Sequence, residues 1–252
     1  MKKVAAIIEA RMASTRLPGK VLKKHADKTL IEIMVKRLQG SLLTDEVIVA
    51  STTNPKDDEL CCLLKSKGIK YYRGSEDDVL ERVLECARVF GVDIIVEVTG
   101  DCPLLDPILV DQAIGFFFKA QADYIGNTCT GDFYPRGQDV KVFSTETLEE
   151  VNSLTDDVDD HEHVSLYIYN NQDYFKCYTL PPPLFSVPDK TRLTVDYPQD
   201  FQLVTKLLDA LGHSCTFHDI CVHLSKHKEL LDINGNLNVQ YINDTSRYAS
   251  TS

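Results

Sequence analysis

No stretch of this sequence stays apolar for anything near the roughly 20 residues that a membrane span needs. Its first residues, MKKVAAIIEAR, meet Glu9 and Arg11 too soon for a secretory leader. A cytoplasmic chain with no membrane partner is therefore expected. The eight cysteines, Cys61, Cys62, Cys86, Cys102, Cys129, Cys177, Cys215 and Cys221, form no C-x-x-C pair. That leaves zinc ribbons and disulfide frameworks without support and reads as reduced thiols used as small core residues. Cations are in the minority, 27 Lys and Arg against 38 Asp and Glu, for a net charge of −11. A general nucleic-acid binder needs a basic face, so the charge balance argues against that class. Also absent are the Walker pattern G-x-x-x-x-G-K-[ST], the dinucleotide fingerprint G-x-G-x-x-G and the metalloprotease pattern H-E-x-x-H.

What is present is most informative between Val4 and Leu22, VAAIIEARMASTRLPGKVL. Val4 to Ile8 is a short uncharged run, as expected of a buried parallel strand. Ala10, Arg11, Ser14, Thr15, Arg16, Pro18, Gly19 and Lys20 follow at once. A strand that opens into a small, hydroxylic and basic loop puts N–H groups and cations at the carboxyl edge of a sheet, where open α/β sheets bind ligands. Three cations in ten positions suit a nucleoside triphosphate. In so acidic a chain, an anionic ligand requires cations concentrated locally. The competing reading is an ordinary basic surface loop.

Further along, strand and helix patterns alternate. Thr29 to Leu43 reads as a helix capped by Asp27, Glu46 to Ala50 as a strand, and Pro55 opens a helix that Gly68 ends. Ile69 to Tyr72 is a third strand, and Ser75 with Asp78 caps a helix through Phe90. Ile94 to Val98 is a fourth strand, Asp106-Pro107 opens a helix to Ala120, and Tyr124-Ile125 suggests a short strand. Such alternation implies right-handed crossovers and a mostly parallel sheet between helical layers. Later come strands at Gln138–Phe143, Phe175–Leu180 and Arg192–Val195. Helices are expected from Thr145 to Leu154, over Val164–Tyr169, over Pro198–Leu211 and over Phe217–Leu231. One domain over residues 1–233 and a polar tail over 234–252 are expected.

The string A-R-M-A-S-T-R-L-P-G-K closely resembles the N-terminal signature of the sugar-nucleotide cytidylyltransferases. These include the CMP-KDO and CMP-acylneuraminate synthetases and, above all, the spore-coat polysaccharide biosynthesis protein F family. The resemblance covers roughly Val4 to Leu211. It implies a three-layer α/β/α nucleotidyltransferase of the glycosyltransferase-A-like, nucleotide-diphospho-sugar transferase fold, with a mostly parallel, mixed sheet. The implied reaction transfers CMP from CTP to a sugar or sugar-acid acceptor and releases pyrophosphate, in surface or spore-coat polysaccharide synthesis. Arg11, Arg16, Lys20 and Asp101 would be catalytic. Ala10, Ser14, Thr15, Arg73, Ser75 and Asp77 would join them around the nucleotide. Asp101, in a segment like the family's G-D-x-P, and Asp196, in a segment like V-D-T-P-E-D, would hold Mg²⁺, with Mn²⁺ as the alternative. The same likeness implies a homodimer.

Each assignment has a plainer rival. Asp before Pro at a helix start is commonly an N-cap, and for Asp106 and Asp200 that reading is preferred. Arg136 and Asp139 match the family's P-x-G-x-D pattern and would touch the acceptor, against a simple hairpin turn. His163 matches a family histidine, and the resemblance implies that it would contact the acceptor. His161 and His163 find no third zinc ligand, and His223 with His227 lack the intervening glutamate. Cys102 lacks an accompanying base. Guanylyl or uridylyl transfer, a glycosyltransferase using Asp157-Val158-Asp159, and a non-catalytic nucleotide-binding module remain as alternatives.

Overall fold

The computed structural model describes residues 2–127 and 133–237. In chain order its strands are β1 (Val4–Glu9), β2 (Lys24–His25), β3 (Lys28–Thr29), β4 (Glu46–Thr52), β5 (Lys70–Gly74), β6 (Ile94–Thr99), β7 (Tyr124–Gly126), β8 (Lys141–Ser144) and β9 (Cys177–Thr179). The helices are α1 (Leu30–Leu38), α2 (Asp58–Ser66), α3 (Val79–Phe90), α4 (Pro107–Ala120), α5 (Thr145–Leu154), α6 (Val158–Glu162), α7 (Leu166–Asn170), α8 (Pro198–Leu211) and α9 (Phe217–Lys226). Seven strands form one sheet in the order β5-β4-β1-β6-β8-β7-β9, and β2 pairs β3 as a separate hairpin. β1, β4, β5 and β6 are parallel. β8 runs against β6 and β7, and β9 is parallel to β7.

β1 lies inside the sheet, flanked by β4 and β6, as its lack of charge before Glu9 allows. Its even-numbered residues Ala6 and Ile8 pack with α1, α2 and α4 on one face. Its odd-numbered residues Ala5 and Ile7 pack with α3 and α5 on the other. Each fully buried Ile of this kind contributes about 1.5–3 kcal/mol. A third core joins Leu30 and Ile33 of α1 to α8 and α9. The chain runs outward from β1 through β4 to β5, then returns to β6 on the opposite side of β1. That reversal separates the loops that leave β1 and β6 and opens a crevice at the carboxyl edge.

Several boundaries differ from the sequence reading. Asp27 does not cap α1. It sits in the β2–β3 turn, and Thr29 caps the helix in a reciprocal box with Glu32. α1 stops at Leu38, short of Leu43. Ser75 receives the Asp78 N–H (3.0 Å), while Asp78 itself caps α3 through the Glu81 N–H (2.8 Å). The helix expected from Val164 begins at Leu166, because Val164 has a positive φ of 48°. The helix from Phe217 ends at Lys226 and passes into a 3-10 turn over Lys228–Asp232. The strand from Gln138 starts only at Lys141, since Val140 donates to Asn127 Oδ1 (3.0 Å) and Gln138 Nε2 to Leu104 O (2.8 Å).

Arg192–Val195 belongs to no sheet. Its Leu193 and Thr194 N–H groups go to Arg136 O (2.7 and 3.1 Å), and its Val195 N–H goes to Asp101 O (2.8 Å). The segment read as a strand is instead held between the Arg136 carbonyl and the turn after β6. The tail expected from residue 234 is held at its start: Asn234 is buried and donates to Arg192 O (3.1 Å) and Asp200 Oδ1 (2.8 Å). The remainder, 238–252, lies outside the described residues, as does Cys129. No helix among the described residues is long and apolar enough to cross a membrane.

Candidate active site

A cavity of about 490 Å³ opens at the carboxyl ends of β1 and β6. The loop after β1 supplies one wall with Ala10, Arg11, Ser14, Thr15, Arg16 and Lys20. The turn after β6 supplies Thr99, Gly100 and Asp101. Asp196 reaches in from the extended segment before α8, and His163 from the end of α6. The loop holds its shape through the Met12 peptide. The Met12 N–H donates to Asp57 Oδ1 (2.6 Å), and Met12 O accepts from Ser14 and Gly19 (2.9 and 3.2 Å). Gly19 takes a left-handed φ of 65°, which a side chain would strain. Buried Leu17 ties the loop to the third core.

Lys20 is the meeting point. Its Nζ donates to Asp101 Oδ2 at 2.8 Å and to Asp196 Oδ1 at 2.9 Å, across sequence separations of 81 and 176 residues. Burial opposes the charge on Lys20, but the two carboxylates outweigh it and raise its pKa. Burial likewise opposes ionisation of Asp101, and Lys20, with the Thr99 hydroxyl and Cys102, holds that carboxyl below its ordinary value. Gly100 is required here by contact: a Cβ would lie 2.9 Å from Glu9 O. Asp196 is fixed from behind by Arg192, whose Nη2 donates to Asp196 Oδ2 (2.8 Å) and whose Nε donates to Asp200 Oδ1 (3.0 Å). Asp200 also receives the Asp196 and Tyr197 N–H groups (2.9 Å each). It is thus an anchor for Asp196 as well as part of the α8 cap. Arg16 lies over the Tyr197 ring, 5.3 Å from its centroid.

Other candidates are placed elsewhere. Arg73 is not among the residues lining the cavity; its guanidinium pairs with Asp58 (2.7 Å) and donates to the carbonyls of Thr52 (2.7 Å) and Asn54 (3.0 Å). Ser75 is used in the turn before α3, and Asp77 is exposed outside the cavity. Arg136 and Asp139 do not line the cavity either. Asp139 accepts the Gly137 N–H (2.9 Å), and burial raises its pKa. His161 bridges Asp78 (2.7 Å) and Thr155 O (3.0 Å), which ties α6 to the start of α3. Asp157 caps α6, away from the cavity. Burial pushes the Cys102 thiol well up, which makes it a poor nucleophile. Asp106 caps α4 and also receives the Phe217 N–H (2.6 Å).

The sequence reading passed over Glu9 and Arg82, which also line the cavity. Glu9 ends β1 on the α3 side. Burial and neighbouring Glu97 push its carboxyl up to about 8, against the pull of Lys141 and Arg82. Behind it, Glu97 and Lys141 form an ion pair across β6 and β8 (2.5 Å). The available signal was Glu9 itself, an acid closing an otherwise apolar strand. No group of three or more His, Cys, Asp or Glu that could hold a metal occurs among the described residues. Asp101 and Asp196 nevertheless turn one oxygen each toward a single cation, the Lys20 ammonium.

The chain matches the cytidylyltransferase family over residues 5–237. It is 34% identical over 238 residues to an uncharacterized protein of Methanocaldococcus jannaschii, covering 93% of this chain and 96% of that one. It is 32% identical over 218 residues to the spore coat polysaccharide biosynthesis protein SpsF of Bacillus subtilis, covering 84% and 89%. Among solved structures, a cytidylyltransferase from Leptospira borgpetersenii superposes with a TM-score of 0.86 at 30% identity, over 92% of this chain and 97% of that chain. The layered α/β fold is that of the nucleotide-diphospho-sugar transferases. The chain belongs to the cytidylyltransferase family and is a nucleotidyltransferase.

Proposed function

We propose that this protein transfers CMP from CTP to an oxygen of a sugar or sugar-acid acceptor, within polysaccharide synthesis. The observation that carries the reading is the meeting of Lys20, Asp101 and Asp196 inside one cavity lined by the basic loop. The acceptor oxygen attacks the α-phosphorus in line. A new O–P bond forms as the bond between the α-phosphorus and the bridging oxygen breaks, and pyrophosphate leaves. No covalent enzyme intermediate is required, so the protein positions the reactants and neutralises charge. Arg11, Arg16 and Lys20 hold the β- and γ-phosphates and stabilise the departing pyrophosphate. Ser14, Thr15 and the loop N–H groups orient them, and Ala10 lends its backbone to the nucleoside. His163 faces the acceptor.

Asp101 and Asp196 suit a divalent cation. Two carboxylate oxygens already converge on a positive charge, and a hard ion such as Mg²⁺ or Mn²⁺ takes one or two carboxylates with phosphate oxygens. When bound, such an ion supplies charge neutralisation at the phosphates. Homodimerisation and a cytoplasmic location are part of the same proposal.

The test is pyrophosphate release on mixing the protein with CTP, Mg²⁺ and, in turn, a 3-deoxy-2-keto acid sugar, a sugar phosphate and a polyol phosphate. Release that needs CTP and one acceptor is expected. Tight CTP binding with no release on any acceptor would favour a non-catalytic module.

A further inference from the structure

Each carboxylate around Lys20 has one oxygen held by the protein and one held by the ammonium. Asp101 Oδ1 accepts from the Thr99 hydroxyl (2.5 Å), and Asp196 Oδ2 accepts from Arg192 Nη2 (2.8 Å). The other two oxygens, Asp101 Oδ2 and Asp196 Oδ1, lie 2.8 and 2.9 Å from Lys20 Nζ. Those are the oxygens that a divalent cation would need. None of the three side chains is sealed. All line the cavity and keep part of their surface exposed, 14% for Lys20, 23% for Asp101 and 17% for Asp196. Among the described residues no further His, Cys, Asp or Glu completes a metal-holding group with them.

An ammonium and a dication compete for the same two oxygens. An ion such as Mg²⁺ sits roughly 2.1 Å from its oxygen ligands, and like charges brought so close repel strongly. The ion also needs phosphate oxygens to complete its shell, and Lys20 needs another anion if it gives up the acids. A triphosphate supplies both. Lysine suits such an exchange, being a point charge on a flexible four-carbon stem. Arg192 does not, because its buried guanidinium is fixed on Asp196 and Asp200. We propose that Lys20 is the resident counter-ion of the two acids, and that they admit a divalent cation only as a triphosphate takes the ammonium. This inference rests on the reading of Asp101 and Asp196 as metal ligands above. It makes the two binding events reciprocal, each tightening the other.

The test is Mn²⁺ binding to the nucleotide-free protein, followed by the EPR signal of the free ion, so that turnover does not enter. The wild-type protein should bind Mn²⁺ weakly. Lys20→Met keeps the stem and drops the charge, and should bind Mn²⁺ at least about tenfold more tightly. Adding Asp101→Asn to Lys20→Met should remove that gain, which places the ion at these acids. Should Lys20→Met not reach the native fold, Lys20→Gln, which is neutral but still donates to an acid, should show the same gain. A folded neutral variant with the wild-type Mn²⁺ affinity would overturn the proposal, as would a gain that survives Asp101→Asn. If CTP-dependent pyrophosphate release then still requires a divalent cation, only the role of Lys20 falls. Release that persists in a chelator would overturn the metal reading with it.

Discussion

Replacing Arg192 with methionine should both destabilise the protein and slow it. Arg192 is 1% exposed and Asp200 is 0% exposed, so their contact at 3.0 Å is a buried ion pair. Methionine nearly matches the apolar stem of arginine, so little packing is lost. What is lost is the cation. Asp200 would keep only neutral donors, the Asp196 and Tyr197 N–H groups and the Asn234 amide. Breaking a buried pair by removing one partner costs about 3–5 kcal/mol. In a chain of this size, 1 kcal/mol moves Tm by about 2–4 °C, so Arg192→Met should lower it by about 6–20 °C. Urea titration checks the same quantity as a lower midpoint at an unchanged slope. Because Arg192 also holds Asp196 (2.8 Å), kcat should fall in the fraction that remains folded. Adding Asp200→Asn removes the orphaned charge, so the double variant should lose less than the sum of the single losses. A loss below about 1 kcal/mol for Arg192→Met would show that solvent reaches the pair and that Asp196 is held by other means.

Gly137→Ala should be costly, because Gly137 has a φ of 96° and a Cβ there would lie 2.3 Å from the backbone of Leu193 and Thr194. Strain of about 1–3 kcal/mol should appear in Tm, together with lower activity as the segment leading to Asp196 shifts. Glu9 predicts a pH dependence of stability. Its folded pKa of about 8 lies above the ordinary glutamate value of 4.5, so the native state binds more protons between the two values. Its stabilising contribution is complete below about 4.5 and is lost as pH rises through 8. Glu9→Gln should flatten the fall in unfolding free energy over that window, and an unchanged slope would locate the proton elsewhere. Lys20→Ala should reduce kcat/KM at least about 100-fold through lost charge stabilisation. It should also let the Asp101 carboxyl titrate at a higher pH by NMR, since Lys20 holds it down.

Local sequence signals carried much of the architecture. β1 was legible because an uncharged run has to be covered on both faces. The starts of α3, α4, α5 and α8 were legible because Asp, Ser and Pro mark helix N-termini by satisfying or omitting N–H groups. Asp27 misled because the box formed by Thr29 and Glu32 satisfies two groups at once, which one acid cannot do. Arg192–Val195 read as a strand because an apolar run reports burial and says nothing of where the N–H groups go. At the site, a motif fixed the backbone position of Arg73 but not its rotamer, and Asp58 captured the guanidinium. Glu9 and Arg82 escaped notice because a single charge at an element's end has no period. Both line the cavity because α3 packs beneath β1, a tertiary arrangement that no local pattern reports.

Two acids from remote segments should act with Lys20 on one phosphate chain. Pyrophosphate release from CTP by Asp101→Asn and Asp196→Asn, with Tm measured in parallel, tests it most directly. Both proteins should fold, with turnover abolished for Asp101→Asn and severely reduced for Asp196→Asn. Wild-type turnover in a folded Asp101→Asn protein would contradict it.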